Sequence, residues 1–315
     1  MFKKWLCQAD ITLTLECIDP ILVKSGIATV DGPDMVPIST YRRDKGAEYF
    51  IPGSSLKGVI RSHAERIVRT LKPRMTCVFY YQKEDDENNE LIASCGKRFE
   101  KLTNSSQVYR LMCPVCRTFG SQVFAGRLGV ADALPVEGCR IITEERDGVG
   151  IDRFTGGAAK GAKFEYVVIS AGKFQTTITV RNFELWQLGL LQIVLEDMKN
   201  GLVRIGTGKS RGFGRVKAEV VSYKVTYPIP QQKLVGVEHL VNSTEAMHYG
   251  FHDSNCELPL PEVPERIGIH CIYDLTEKRA HIAQPLIDCF RDVLANRYEP
   301  DWLTVVKAAL QGEGR

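Results

Sequence analysis

Four cysteines offer the first chemistry in this chain. Cys113 and Cys116 form a C-x-x-C knuckle, and Cys77 and Cys95 precede it at intervals of eighteen residues. Four thiolates meeting at one point make a closed tetrahedral site of the structural zinc type. The interval from Pro73 to Phe119 carries an acidic run, Glu84–Glu90, and is too small to bury much core. A metal cross-link gives such a segment a physical reason to fold. The alternative is reduced thiols, with Cys77 or Cys95 unpaired. A redox knuckle is disfavoured because no βαβ pattern surrounds it. His63 could replace one cysteine, but a polar place on a helix suits it better.

Two further groups of residues could do chemistry. Asp31 and Asp34 flank Gly32-Pro33 within Val23–Glu48, a long stretch with no clean period. Such loops commonly carry function. A carboxylate there can hold a divalent ion or orient an attacking hydroxyl. In isolation, D-G-P-D is also an ordinary turn with Asx bonding. The segment Gly206–Gly214 reads G-T-G-K-S-R-G-F-G. Its glycines allow positive φ and close approach. Lys209, Ser210 and Arg211 beside exposed N–H groups suit a polyanion backbone. The spacing is not that of a triphosphate loop, and a strand, Arg215–Tyr223, follows it instead of a helix. A tight hairpin with a solvated basic tip is the plainer alternative. The six histidines are scattered and build no catalytic triad.

The elements that position these groups follow from periodicity. Gln8–Ile18 alternates as a half-buried strand. A short strand ends at Tyr49–Pro52, and Ser54 or Ser55 can cap the helix after it. That helix buries Leu56, Val59, Ile60, Ala64, Ile67, Val68 and Leu71 and turns Lys57, Arg61, Arg66, Arg69 and Lys72 outward. Its N-terminus, after a Gly-Ser-Ser turn, suits phosphate. Arg127–Ala133, Phe164–Ile169 and Phe174–Val180 read as strands, with Gly148–Gly161 glycine-rich and flexible. Glu184–Met198 is a second helix, buried through Leu185, Leu188, Leu191, Ile193, Val194 and Leu195 and stopped at Asn200-Gly201. Strand, strand, helix, insertion, strands, helix, strand matches an α+β split β-α-β unit of the ferredoxin-like kind, which also serves as an RNA-binding platform. After Pro228-Ile229-Pro230 the pattern weakens, although Leu275–Leu294 and Trp302–Leu310 look helical.

Composition limits the class. With 44% hydrophobic and 25% charged residues, the chain is that of a soluble globular protein. A net charge of +3 means that any nucleic-acid affinity comes from local patches. No leader or membrane-length apolar run is read, so the cytoplasm is the expected compartment. The remaining cysteines, Cys7, Cys17, Cys139, Cys256, Cys271 and Cys289, are expected to be small buried hydrophobes.

Three strings occur in order: I-P-G-S-S-L-K-G at Ile51–Gly58 with Arg61, then G-I-D-R-F-T-G-G at Gly150–Gly157, then Gly206–Gly214. Together they resemble the RAMP superfamily of CRISPR-associated proteins over about Gln8–Tyr227. The best resemblance is to the Cas-seven group, the backbone subunit of type III effector complexes, and the cysteine insertion is similar to III-D-like branches. The resemblance implies a modified ferredoxin-like, RRM-like RAMP fold over residues 1–227. It would carry a zinc-binding insertion at about 73–119, a β-hairpin thumb at about 147–174, and a C-terminal extension over 228–315. It implies that Ser54, Ser55, Lys57 and Arg61 hold guide-RNA phosphates, and that Arg153 and Thr155 at the thumb also touch RNA. Lys209, Ser210 and Arg211 would meet the guide or a neighbouring subunit. The implied partners are a CRISPR guide RNA, a target RNA, neighbouring RAMP subunits and a large polymerase-like subunit. Asp34, with Asp31 as the alternative, would cleave target RNA with Mg²⁺ or Mn²⁺ through attack of a ribose 2′-hydroxyl on the adjacent phosphate. A non-catalytic subunit is the alternative. A metal-independent guide-processing endoribonuclease that leans on His63 is a third.

Overall fold

The computed structural model describes residues 3–26, 32–80, 93–253, 258–297 and 302–312. Its centre is β1 (Gln8–Cys17), whose alternation places Ala9, Ile11, Leu13 and Leu15 on one buried face. β2 (Ser39–Arg42) and β3 (Gly46–Tyr49) then form an antiparallel hairpin. It falls inside the stretch expected to be an irregular loop. Strands of four residues are too short for a period of two to stand out.

α1 (Gly53–Leu71) buries Leu56, Ile60, His63, Ala64 and Val68. Neither Ser54 nor Ser55 caps it. Pro52 occupies the cap position, and the Gly53 N–H donates to Asp132 Oδ1 at 2.7 Å. A carboxylate from the far side of the insertion thus sits at the helix N-terminus, where the dipole favours negative charge. Gly53 lies so close to the next strand that a Cβ would fall 2.2 Å from the Val130 carbonyl oxygen.

The described residues of the insertion form the short helices α2 (Cys95–Arg98), α3 (Ser105–Leu111) and α4 (Pro114–Phe119). A small hairpin of β4 (Gly120–Ser121) and β5 (Phe124–Ala125) closes it. β6 (Leu128–Val130) and β7 (Leu134–Pro135) return to the main sheet. β8 (Ile142–Ile151) and β9 (Ala158–Ala171) then form a separate, largely exposed ribbon. Gly148 and Gly161, expected in a flexible stretch, are strand residues of this ribbon. Gly148 pairs with Phe164, and its missing side chain makes room for that ring. The ribbon begins at Ile142, earlier than the expected thumb.

β10 (Lys173–Arg181), α5 (Leu185–Lys199) and β11 (Val216–Tyr227) complete the core. Beyond Tyr227 lie α6 (Ser243–Tyr249), β12 (Glu265–Ile267), β13 (His270–Asp274), α7 (Arg279–Asp292) and α8 (Trp302–Gly312). The sheet order is β12-β13-β11-β1-β10-β6, with β7 also paired to β10. Every pairing in it is antiparallel. The chain after Tyr227 therefore extends the sheet through β13, and α7 covers α5. The two helices approach so closely at Gly189 that a Cβ would fall 1.9 Å from the Leu286 carbonyl oxygen. This cover explains why Trp186 and Leu190 are buried as well as the expected face, while Ile193 is only partly buried. Cys7, Cys271 and Cys289 are buried as expected, Cys17 and Cys139 are half-buried, and Cys256 lies outside the described residues. Burial, with help from the neighbouring Cys139 and Glu16, pushes the Cys17 thiol up to about 12. No helix among the described residues is long and apolar enough to cross a membrane.

A buried polar cluster joins the insertion, α5 and the C-terminal chain. Arg117 and Glu184 are fully buried and paired at 2.9 Å. Glu184 also accepts from the Tyr109 hydroxyl at 2.6 Å and from the His252 N–H at 2.9 Å. Glu238 accepts the Leu185 N–H at 3.3 Å beside it. Burial, and then the nearby Glu184 charge, push the Glu238 carboxyl well above the usual carboxylate range. The folded state therefore keeps a proton that the unfolded chain gives up above about pH 4.3. Stability is lost as pH rises through that window, by up to about 1.4 kcal/mol per pH unit. A Glu238→Gln variant, which does not titrate, is expected to gain on the wild type between pH 5 and pH 8. Thermal unfolding across that range measures the gap. A difference independent of pH would show an ordinary carboxyl.

Candidate metal centre and nucleic-acid interface

The four cysteines converge. Cys77, Cys95, Cys113 and Cys116 are buried, and their sulfurs all lie within 4.8 Å of one another. Cys77 Sγ is 3.5 Å from Cys116 Sγ and 3.8 Å from Cys113 Sγ. A tetrahedral ion with Zn–S near 2.3 Å requires sulfur–sulfur edges of about 3.8 Å. The set therefore fits a metal ion such as zinc. Backbone N–H groups support it: Cys113 N donates to Cys95 Sγ at 3.5 Å, and Cys116 N donates to Cys113 Sγ at 3.4 Å. α4 supplies this geometry, since Pro114 opens the helix and Cys113 is its cap residue. His63 is elsewhere, with Nε2 2.6 Å from Asp197 Oδ2.

Asp34 is exposed, and its Oδ2 accepts the Glu165 N–H at 2.8 Å. Beside it, Met35 N donates to the Glu165 carbonyl and Val167 N to the Met35 carbonyl, so this loop lies along β9. Asp31 lies outside the described residues. Gly206, Gly208, Gly212 and Gly214 all have positive φ. Thr207 N donates to the Leu22 carbonyl and Gly214 N to the Pro20 carbonyl, both at 2.9 Å. A Cβ on Gly206 would fall 2.4 Å from the Leu22 carbonyl oxygen. The glycine loop is thereby joined to the start of the segment that leads to Asp34. Phe213 is buried against Leu22, Tyr166 and Val168, which ties the same loop to the base of the ribbon.

Lys209, Ser210 and Arg211 form a single exposed 3-10 turn, and its two cations face different neighbours. The Arg211 guanidinium lies 5.4 Å from the Phe164 ring. Lys209 instead lines a cleft of about 180 Å³ with Ser62, His63, Arg66, Leu202 and Arg204. Partial burial, then the Arg66 charge, lower the Lys209 ammonium below its ordinary range. Three cations around one cleft create a positive potential suited to an anion. Arg66 was legible as part of the outward basic face of α1. Arg204 was not anticipated; it packs its guanidinium on the Lys209 carbonyl.

The α1 residues divide. Ser54 is exposed, and Ser55 and Lys57 are half-buried. Burial, and then Arg61, lower the Lys57 ammonium. Arg61 points inward, with its guanidinium bonded to Glu65, Gly120 and Cys116. Arg153 and Thr155 are exposed at the ribbon turn, away from these groups in sequence and on a separate sheet. Asp152 Oδ1 accepts Thr155 N and Phe154 N, each at 2.8 Å, and these bonds hold its carboxyl below the usual range. The turn displays Phe154 at 102% relative exposure, so an aromatic face is offered at the tip. The outer face of β1 and β10 carries Asp10, Thr12, Thr14, Gln175, Thr177 and Thr179. None of these is aromatic, so bases cannot stack on the sheet as they do on an RRM platform.

A comparison with curated proteins returned no match. The sequence model of the RAMP superfamily matches residues 14–217, from within β1 to the start of β11, and so takes in the cysteine centre, the ribbon and the glycine loop. The chain belongs to the RAMP superfamily.

Proposed function

We propose that this protein is a CRISPR-associated subunit that binds guide RNA, as a Cas-seven-group backbone subunit of a type III, III-D-like effector complex. The observation that carries this is the cationic cleft of Arg66, Arg204 and Lys209, with Arg211 of the same loop placed separately over Phe164 of the ribbon. Phosphate contacts of this kind hold RNA without reading its sequence. The strand order β11-β1-β10-β6 with α1 and α5 supports the split β-α-β reading. The exposed Phe154 tip supports the ribbon as the thumb that wedges between guide and target. The cysteine centre would hold structural zinc, and the remaining partners would be target RNA, neighbouring RAMP subunits and the large polymerase-like subunit.

Guide binding is tested by salt dependence. Each phosphate contact to single-stranded RNA contributes about 0.7 to the log–log slope. An Arg66→Gln/Lys209→Gln variant is expected to lower the slope by about 1.4. An unchanged slope would place the guide elsewhere.

Asp34 is the candidate for target cleavage. The Glu165 N–H orients its carboxylate beside the ribbon base, where a displaced nucleotide would be presented. A divalent ion bound there would supply charge neutralisation at the scissile phosphate. The 2′-hydroxyl would attack that phosphate and pass its proton to the Asp34 carboxylate, while the bond to the 5′-oxygen breaks and that oxygen takes a proton from water, leaving a 2′,3′-cyclic phosphate. Asp34→Asn within the assembled complex is expected to slow cleavage about 10²–10⁴-fold while guide binding is kept. Cleavage at the wild-type rate would remove Asp34 from the chemistry, and a wild-type complex that leaves its target intact would favour the structural role. The His63–Asp197 pair in the basic cleft favours one further reading, metal-independent processing of repeat RNA. Cleavage of that RNA by the isolated protein in EDTA would support it.

A further inference from the structure

We propose that Arg61 is an outer-shell residue of the four-cysteine centre, tying the metal to α1, and is not a phosphate ligand. This rests on the reading that the centre holds zinc. A divalent ion with four thiolates carries a net charge of about −2, and burying it without compensation is costly. Arg61 supplies the compensation. Its Nη2 donates to Cys116 Sγ at 3.2 Å. Its Nη1 donates to the Gly120 carbonyl at 2.9 Å. Its Nε donates to Glu65 Oε1 at 3.0 Å. The Phe79 ring lies 4.1 Å from the guanidinium carbon and covers one face.

The side chain is only 14% exposed, so little of the fork is left for a phosphate. Cys116 and Gly120 stand at the two ends of the last turn of α4. One guanidinium thus holds both the ligand and the end of the knuckle helix. A lysine could not make these bonds together, because an ammonium is a point donor without a planar fork. Lys57 lies one helical turn before Arg61 on the same side of α1.

The test uses the full chain loaded with zinc or Co²⁺. Arg61→Gln is expected to lower zinc affinity about 10–100-fold, read by competition with a chelator, and to shift the thiolate–Co²⁺ absorption. Arg61→Lys should fall between it and the wild type. At saturating zinc, affinity for guide-length RNA should stay within about twofold of the wild type and the salt slope should be unchanged, since no phosphate contact is lost. Wild-type zinc affinity in Arg61→Gln would overturn the proposal. A slope reduced by about 0.7 at saturating zinc would also overturn it, because Arg61 would then be a phosphate contact. Should Arg61→Gln fail to fold, Glu65→Leu removes the acceptor of one of the three bonds and should weaken zinc binding to a smaller degree; unchanged zinc affinity there counts against the proposal. A wild-type protein that binds no zinc overturns the metal reading itself, and the unmodified chain alone shows it.

Discussion

Cys113→Ser is expected to release the metal and destabilise the segment between α1 and β6. Cys113 Sγ lies 3.8 Å from Cys77 Sγ and accepts the Cys116 N–H, so it caps α4 and would also be a ligand of the proposed ion. A hydroxyl is a poor replacement for a thiolate in such a site. An ion present at about a thousand times its Kd contributes roughly 4 kcal/mol to stability. Whole-domain stability is typically about 5–15 kcal/mol, so the loss is a large share of it. The segment also anchors Met75, Phe99, Tyr109 and Met112, all fully buried in the main core. Unfolding should therefore not stay local. Thermal melting of the wild type with and without chelator, beside the variant, measures this. A melting temperature that ignores both chelator and substitution would show that the thiols bind no ion and that packing alone holds the segment.

The second large effect is expected at Glu184. Replacing it with glutamine leaves the fully buried Arg117 without its charged partner at 2.9 Å. Removing one partner of a buried pair costs about 3–5 kcal/mol. The amide also puts an NH₂ donor where the carboxylate accepts from the Tyr109 hydroxyl, Arg117 and the His252 N–H. The aromatic setting raises the stakes, since the Arg117 and Arg127 guanidiniums lie 4.2 Å and 4.4 Å from the Tyr109 ring centroid. An Arg117→Met/Glu184→Leu double variant should be less damaging than Glu184→Gln alone, because it removes both charges together. Denaturant unfolding of the three proteins decides the matter. If the single variant costs less than about 1 kcal/mol, water or another group compensates Arg117.

The division between sequence and tertiary structure follows the range of each interaction. Periodicity is local, so β1, α1, α5 and β11 could be read from single segments. The cysteine quartet was also legible, because a C-x-x-C knuckle with two further cysteines at even intervals is the pattern of a four-thiolate site. The glycine loop announced itself because φ > 0 demands glycine at all four of its positions. Other features depend on residues far apart in the chain. Asp132 caps α1 from seventy-nine positions away. Arg61 could be placed on the basic side of α1, but a helical period cannot say what packs against that side. The insertion does, and it turns the guanidinium toward Cys116. In the same way, only α7 decides that α5 is buried nearly all round. The residues fit for chemistry were present in the sequence. Their assignment to a metal shell, a helix cap or an open cationic cleft came from long-range packing, which sets what each charge meets once water is excluded.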